Sequence, residues 1–118
     1  IPKMVYIVAC IKGDRSSLIH EWAHFFYYIN EDYRQIVKNL WMNLDKSVKL
    51  AIEKDLLMRN YDYKAFIDEF QAYLVETPTE FGKKWKDYLY GIHVKLRNAQ
   101  PSFEKSKSTD VSTIFLYL

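Results

Sequence analysis

Residues 17–29 read SLIHEWAHFFYYI, and the prediction of the fold starts from this stretch. It contains no Gly or Pro, and a serine pair stands at its start, where a helix N-cap is expected. Its apolar side chains recur at spacings of three and four, as the buried face of an amphipathic helix requires: Leu18, Trp22, Phe25 and Ile29. We therefore predict a helix over 17–29.

The same stretch contains the pattern HExxH, with histidines at positions 20 and 24 and Glu21 between them. Positions i and i+4 share one face of a helix, so His20 and His24 can bind one metal ion from consecutive turns. Imidazole nitrogens suit zinc, and three protein ligands leave a fourth position open for water. Glu21 lies about 100° round the helix from His20, so it can face that water. The pattern predicts Zn²⁺ as cofactor and Glu21 as the catalytic base.

A third ligand must come from elsewhere in the chain. Asn30 stands where a metzincin would have its third histidine, which excludes that subclass, and His93 is the one remaining histidine. Residues 67–73 read IDEFQAY and offer two carboxylates. Glu69 lies beside an apolar stripe, where an acid is costly unless it finds a cation. We therefore predict Glu69 as the third ligand, with Asp68 as a partner that orients a ligand or as the alternative ligand.

The rest of the chain predicts an α+β fold that is mostly helical. Residues 3–11, KMVYIVACI, are typical of a buried strand. Apolar spacing predicts further helices over 31–58, with a break near 43–46, and over 63–75 and 80–98. We expect a small β-sheet packed against the HExxH helix.

Composition divides the chain into three parts. We predict one domain over residues 1–100, a polar linker over 101–113 and an apolar strand-like end over 114–118. Two interpretations of 114–118 stay open: it completes the fold, or it lies in the cleft as an autoinhibitory segment. The strand edge also makes a homo-oligomer a candidate assembly.

Charge and composition exclude several classes of protein. The aromatic content of 17% argues against a disordered chain, and the net charge of +2 is too small to indicate nucleic acid. The run Lys83-Lys84-Trp85-Lys86 is therefore interpreted as a solvated helix face. The longest apolar run, 4–11, is too short for a membrane span. The single cysteine excludes an internal disulfide framework and favours a cytoplasmic location.

HExxH followed by a glutamate within Glu-x-x-Ala-Tyr resembles the gluzincin clan of zinc metallopeptidases, and the chain is most similar to the single-domain minigluzincins. The resemblance implies a zincin-like domain in which His20, His24 and Glu69 bind zinc. It further implies hydrolysis of peptide bonds in peptide or protein substrates, through a zinc-bound water activated by Glu21.

One position departs from that resemblance. Many gluzincins carry an aspartate four residues after the ligand glutamate, and here the position is Tyr73. Orientation of a histidine then falls to Tyr73, Asp68 or a backbone carbonyl. Candidate donors for the oxyanion are His93, Tyr73 and two tyrosines of the last helix, at positions 88 and 90. The alternative function is a latent or non-catalytic interaction protein on a zincin scaffold, with zinc as a structural staple.

Overall fold

The structure is a computed structural model that describes residues 4–10, 15–100 and 111–117, with side chains described over 17–100. The elements in chain order are β1 (Met4–Cys10), α1 (Arg15–Ile29), α2 (Glu31–Met42), α3 (Lys46–Met58), α4 (Phe66–Glu76), α5 (Lys86–Ala99) and β2 (Val111–Tyr117). Short 3-10 turns at Tyr63–Ala65 and Lys83–Trp85 lead into α4 and α5.

Polar side chains at helix starts explain where the elements begin. Asn30 accepts a hydrogen bond from the backbone N–H of Tyr33, and Asp45 caps α3 in the same way. The predicted break near 43–46 is confirmed, since α2 ends at Met42 and α3 begins at Lys46. Asp62 accepts a hydrogen bond from the N–H of residue 64 and caps the turn that leads into α4.

The predicted α+β fold class is wrong for the core of the structure, which lies within residues 17–100. Over 17–100 the chain is 82% helical and contains no strand, so the described core is built from helices alone. Within 17–100, helix α1 packs against α4 and α2. Strand β1 also contacts α1, but it lies outside this helical core. The two strands flank this helical part in the sequence and pair in parallel, from Met4 opposite Val111 to Cys10 opposite Tyr117.

The C-terminal segment differs from its predicted bounds. Strand β2 begins at Val111, three residues before the predicted segment 114–118, and the backbone of 114–117 pairs with that of 7–10. Residues 101–110 of the predicted linker and Leu118 lie outside the described residues. None of the described helices combines the length and the apolar character that crossing a bilayer requires.

Helix α4 lies at the centre of the helical part. It contacts each of the other four helices, and Phe70, Leu74 and Val75 on it are completely buried. A helix packed on several sides has to be apolar around most of its circumference, which α4 is. Two polar side chains of α4, Glu69 and Gln71, are nevertheless buried as well. Since buried polar groups need partners, these two residues point to the functional site.

Removing the Phe70 ring tests the central position of α4. Phe70→Ala should lower the free energy of unfolding by about 3–5 kcal/mol, because it deletes a fully buried ring that packs on Trp41 at 5.0 Å between centroids. Leu50→Ala, at a side chain that is 65% exposed, is the control and should change it by less than about 0.5 kcal/mol. Urea denaturation measures both, and equal losses would contradict the packing described.

Candidate metal centre

Three predicted ligands meet where α1 packs on α4. His20 and His24 lie one turn apart on α1, and Glu69 lies on α4. One ligand atom from each of them lies within 4.8 Å of the other two, which is close enough to bind a metal ion. The side chain of His20 is 13% exposed, that of His24 15% and that of Glu69 11%, so the group is mostly buried but still accessible to solvent.

The spacing of the donor atoms suits a tetrahedral ion. The Nε2 atoms of His20 and His24 are 3.0 Å apart, and Nε2 of His24 lies 2.8 Å from Oε1 of Glu69. Nε2 of His20 lies 3.8 Å from Oε2 of the same carboxylate. Zinc bonds of about 2.0–2.1 Å in tetrahedral geometry place two donor atoms about 3.4 Å apart. The three observed distances bracket that value.

Two polar atoms of the group lack hydrogen bonds. Oε2 of Glu69 and Nδ1 of His20 are buried and form none among the described residues. A buried carboxylate oxygen without a donor is costly, because its lost hydration is not replaced. A cation between the three donor atoms would supply what Oε2 lacks, so the donor set fits a metal ion such as zinc.

In the metal-free chain, a protonated His24 supplies the positive charge between these side chains. Burial lowers the pKa of His24, but hydrogen bonds to Asp68 and Glu69 outweigh burial and raise that pKa to about 10. Burial and the neighbouring charge of His24 lower the pKa of His20. The protonated His24 therefore donates from Nε2 towards the lone pairs of neutral His20 and of the Glu69 carboxylate.

Asp68 orients His24. Its Oδ1 lies 2.9 Å from Nδ1 of His24, so Nδ1 carries a proton and donates it. With the proton held on Nδ1, the lone pair of a neutral His24 is on Nε2 and faces the other two ligands. Of the two roles predicted for Asp68, this contact fits the orienting partner, and the group of possible ligands contains Glu69 and not Asp68.

His20 is held differently, by a ring and a more distant acid. The ring of Tyr73 packs on the His20 imidazole with centroids 4.4 Å apart. Oε1 of Glu76 lies 3.6 Å from Nδ1 of His20, at the other end of α4. Tyr73 thus contacts His20 through its ring, while its hydroxyl hydrogen-bonds that of Tyr61 at 2.8 Å.

The remaining predicted residues lie in different places. Glu21 is half-buried on α1 beside His20, and its carboxylate forms no hydrogen bond or ion pair within 17–100. His93 on α5 is outside the ligand group, because its Nδ1 donates to the backbone carbonyl of Leu74 at 2.6 Å. The hydroxyl of Tyr88 accepts a hydrogen bond from the N–H of residue 45, and Tyr90 is 56% exposed.

Sequence reasoning missed Tyr61, Gln71 and Glu76. The hydroxyl of Tyr61 hydrogen-bonds that of Tyr73, whose ring packs on His20. Burial, this hydrogen bond and the charge of Glu69 raise the pKa of Tyr61. Nothing in the sequence separates Tyr61 from the nine other tyrosines. Gln71 could have been singled out in the sequence, because it is a polar residue that interrupts the apolar face of α4 two residues after Glu69.

No known protein family matches the chain, and no curated protein or solved structure matches it either.

Zinc titration tests the ligand assignment. The purified chain should bind one equivalent of zinc, and Glu69→Ala should lose this stoichiometric binding because a ligand is removed. Asp68→Ala should bind zinc about 10–100-fold more weakly, since only the orientation of His24 is lost. Competition with a chromophoric chelator measures the affinities.

Glu53→Ala, on α3 and outside the ligand group, is the control and should leave zinc binding unchanged. Tight binding by Glu69→Ala, together with its loss in Asp68→Ala, would reverse the roles of the two acids.

Proposed function

We propose that the chain is a zinc metallopeptidase that hydrolyses peptide bonds in peptide or protein substrates. The observation that carries the proposal is the convergence of His20, His24 and Glu69, with a further glutamate, Glu21, next to the first ligand. The same arrangement is the one implied by the sequence resemblance to gluzincins. Two histidines and one glutamate are a ligand set found in hydrolytic zinc sites, where the fourth position binds water or substrate.

The number of ligands favours catalysis over a structural role. Structural zinc sites are usually closed by four protein ligands, whereas catalytic sites keep one position for water or substrate. Among the described residues the group has three members. Their side chains are 11–15% exposed, so the group is not fully closed to solvent.

Glu21 is the proposed general base. A bound zinc ion would supply Lewis acidity, polarising a carbonyl and making water easier to deprotonate. Glu21 would take the proton from the attacking water and deliver it to the leaving amine. Glu21 directly follows His20 on α1 and is half-buried, so it lies on the turn of the helix that carries the first ligand.

One hydroxyl of the pair Tyr61 and Tyr73 is the proposed donor to the developing oxyanion. The two hydroxyls lie 2.8 Å apart and share one hydrogen bond, so one of them keeps its proton free to donate. An O–H aimed at the place where negative charge develops stabilises the transition state more than the ground state. His93 is less suited, because its Nδ1 is already bonded to a backbone carbonyl.

Glu21→Gln separates catalysis from metal binding. The substitution keeps the shape of the side chain but removes the base, so kcat on a diverse library of quenched fluorescent peptides should fall about 10²–10⁴-fold. Zinc affinity should stay close to that of the wild type, because Glu21 is not a ligand.

Glu53→Gln is the matched control and should retain full activity and zinc binding. A wild-type chain that binds zinc but cleaves no peptide in the library would contradict the proposal. Zinc would then act as a structural staple of an interaction protein.

A further inference from the structure

We propose that Gln71 is a positioning residue of the metal centre, which holds Asp68 and through it the imidazole of His24. The inference rests on the metal-binding part of the proposed function and adds a residue that touches none of the ligands. Gln71 lies on α4, two residues after Glu69, and its side chain is completely buried.

The hydrogen bonds of Gln71 have one possible direction. Its Nε2 lies 3.1 Å from the backbone carbonyl of Ala23 and 3.0 Å from Oδ1 of Asp68. Both of these atoms are acceptors, so the amide nitrogen has to face them and the amide oxygen has to face the other way. Oε1 lies 2.7 Å from the hydroxyl of Tyr33, which must therefore donate.

Tyr33 is held in turn by the end of α5. Its hydroxyl donates a hydrogen bond to Gln71, and the oxygen of that hydroxyl accepts one from Nε2 of Gln100 at 2.9 Å. Tyr33 is 1% exposed, and burial raises its pKa, which keeps the hydroxyl protonated. The chain of donors runs from Gln100 through Tyr33 and Gln71 to Asp68.

Asp68 is more exposed than Glu69, so its side chain depends on hydrogen bonds to stay in one position. Its side chain is 35% exposed, against 11% for Glu69, and its Oδ1 serves both Gln71 and His24. The amide of Gln71 also bonds the carbonyl of Ala23, the residue that precedes His24. One buried side chain thus connects the orienting acid on α4 to the backbone of α1 beside the ligand.

Three variants test the inference through zinc affinity, with inorganic zinc as the probe. Gln71→Met keeps the volume but removes all three hydrogen bonds, and it should weaken zinc binding about tenfold, within the range known for partners of metal ligands. Tyr33→Phe is the conservative variant and should weaken binding in the same direction by a smaller factor. Tyr88→Phe removes a hydroxyl hydrogen bond of 2.8 Å to the backbone N–H of residue 45, outside the ligand group, and it should leave the affinity unchanged.

A double-mutant cycle distinguishes positioning from a general effect on the fold. In an Asp68→Ala background, Gln71→Met should cause no further loss of zinc affinity, because the residue it acts through is gone. An equal tenfold loss in both backgrounds, or no loss in the wild-type background, would overturn the inference. If Gln71→Met does not fold, Tyr33→Phe carries the same cycle.

NMR of the metal-free protein keeps this test independent of the proposed function. The Nδ1 proton of His24 should be protected from solvent exchange in the wild type and in Tyr88→Phe. It should exchange faster in Gln71→Met and in Tyr33→Phe. A wild-type chain that binds no zinc would contradict the proposed function, while unchanged exchange in both variants would overturn the role of Gln71.

Discussion

The carboxylate of Glu69 is buried at the contact between α1 and α4, and the rest of the site depends on how that charge is compensated. A carboxylate in this position is strongly destabilising unless a cation or several donors face it. His24 faces it at 2.8 Å, and the other carboxylate oxygen has no hydrogen bond among the described residues. The packing of α1 on α4 therefore brings His20, His24 and Glu69 close enough together to bind a metal ion, which would compensate the buried charge.

Most of the site comes from one turn of α4 and one turn of α1. Asp68, Glu69 and Gln71 lie within four consecutive positions, and they face two histidines that are one helical turn apart. Short spans of regular helix hold side chains more rigidly than loops do, so the ligand geometry is preorganised. The central position of α4, in contact with each of the other helices, further restricts its movement.

The core over 17–100 differs from the fold class predicted from the sequence. The apolar run 4–10 does adopt an extended conformation and pairs with 111–117, but the α+β prediction misjudged what builds the core. Periodicity reports which face of a segment is apolar, but not which other segment covers that face. Over 17–100 that cover is supplied by helices, because Phe70, Trp41 and their neighbours fill the space between α4 and the other helices.

The three candidate ligands could be predicted from the sequence alone. The spacing of His20 and His24 puts both rings on one face of a helix, and the acid in the apolar stripe of α4 indicated Glu69, because these are properties of single helices. The assignment of Asp68 to His24, the chain through Gln71 and Tyr33, and the place of Tyr61 depend on residues up to 67 positions apart. Helical periodicity carries no information about such contacts, so only the packing of α1, α2, α4 and α5 against one another could determine them.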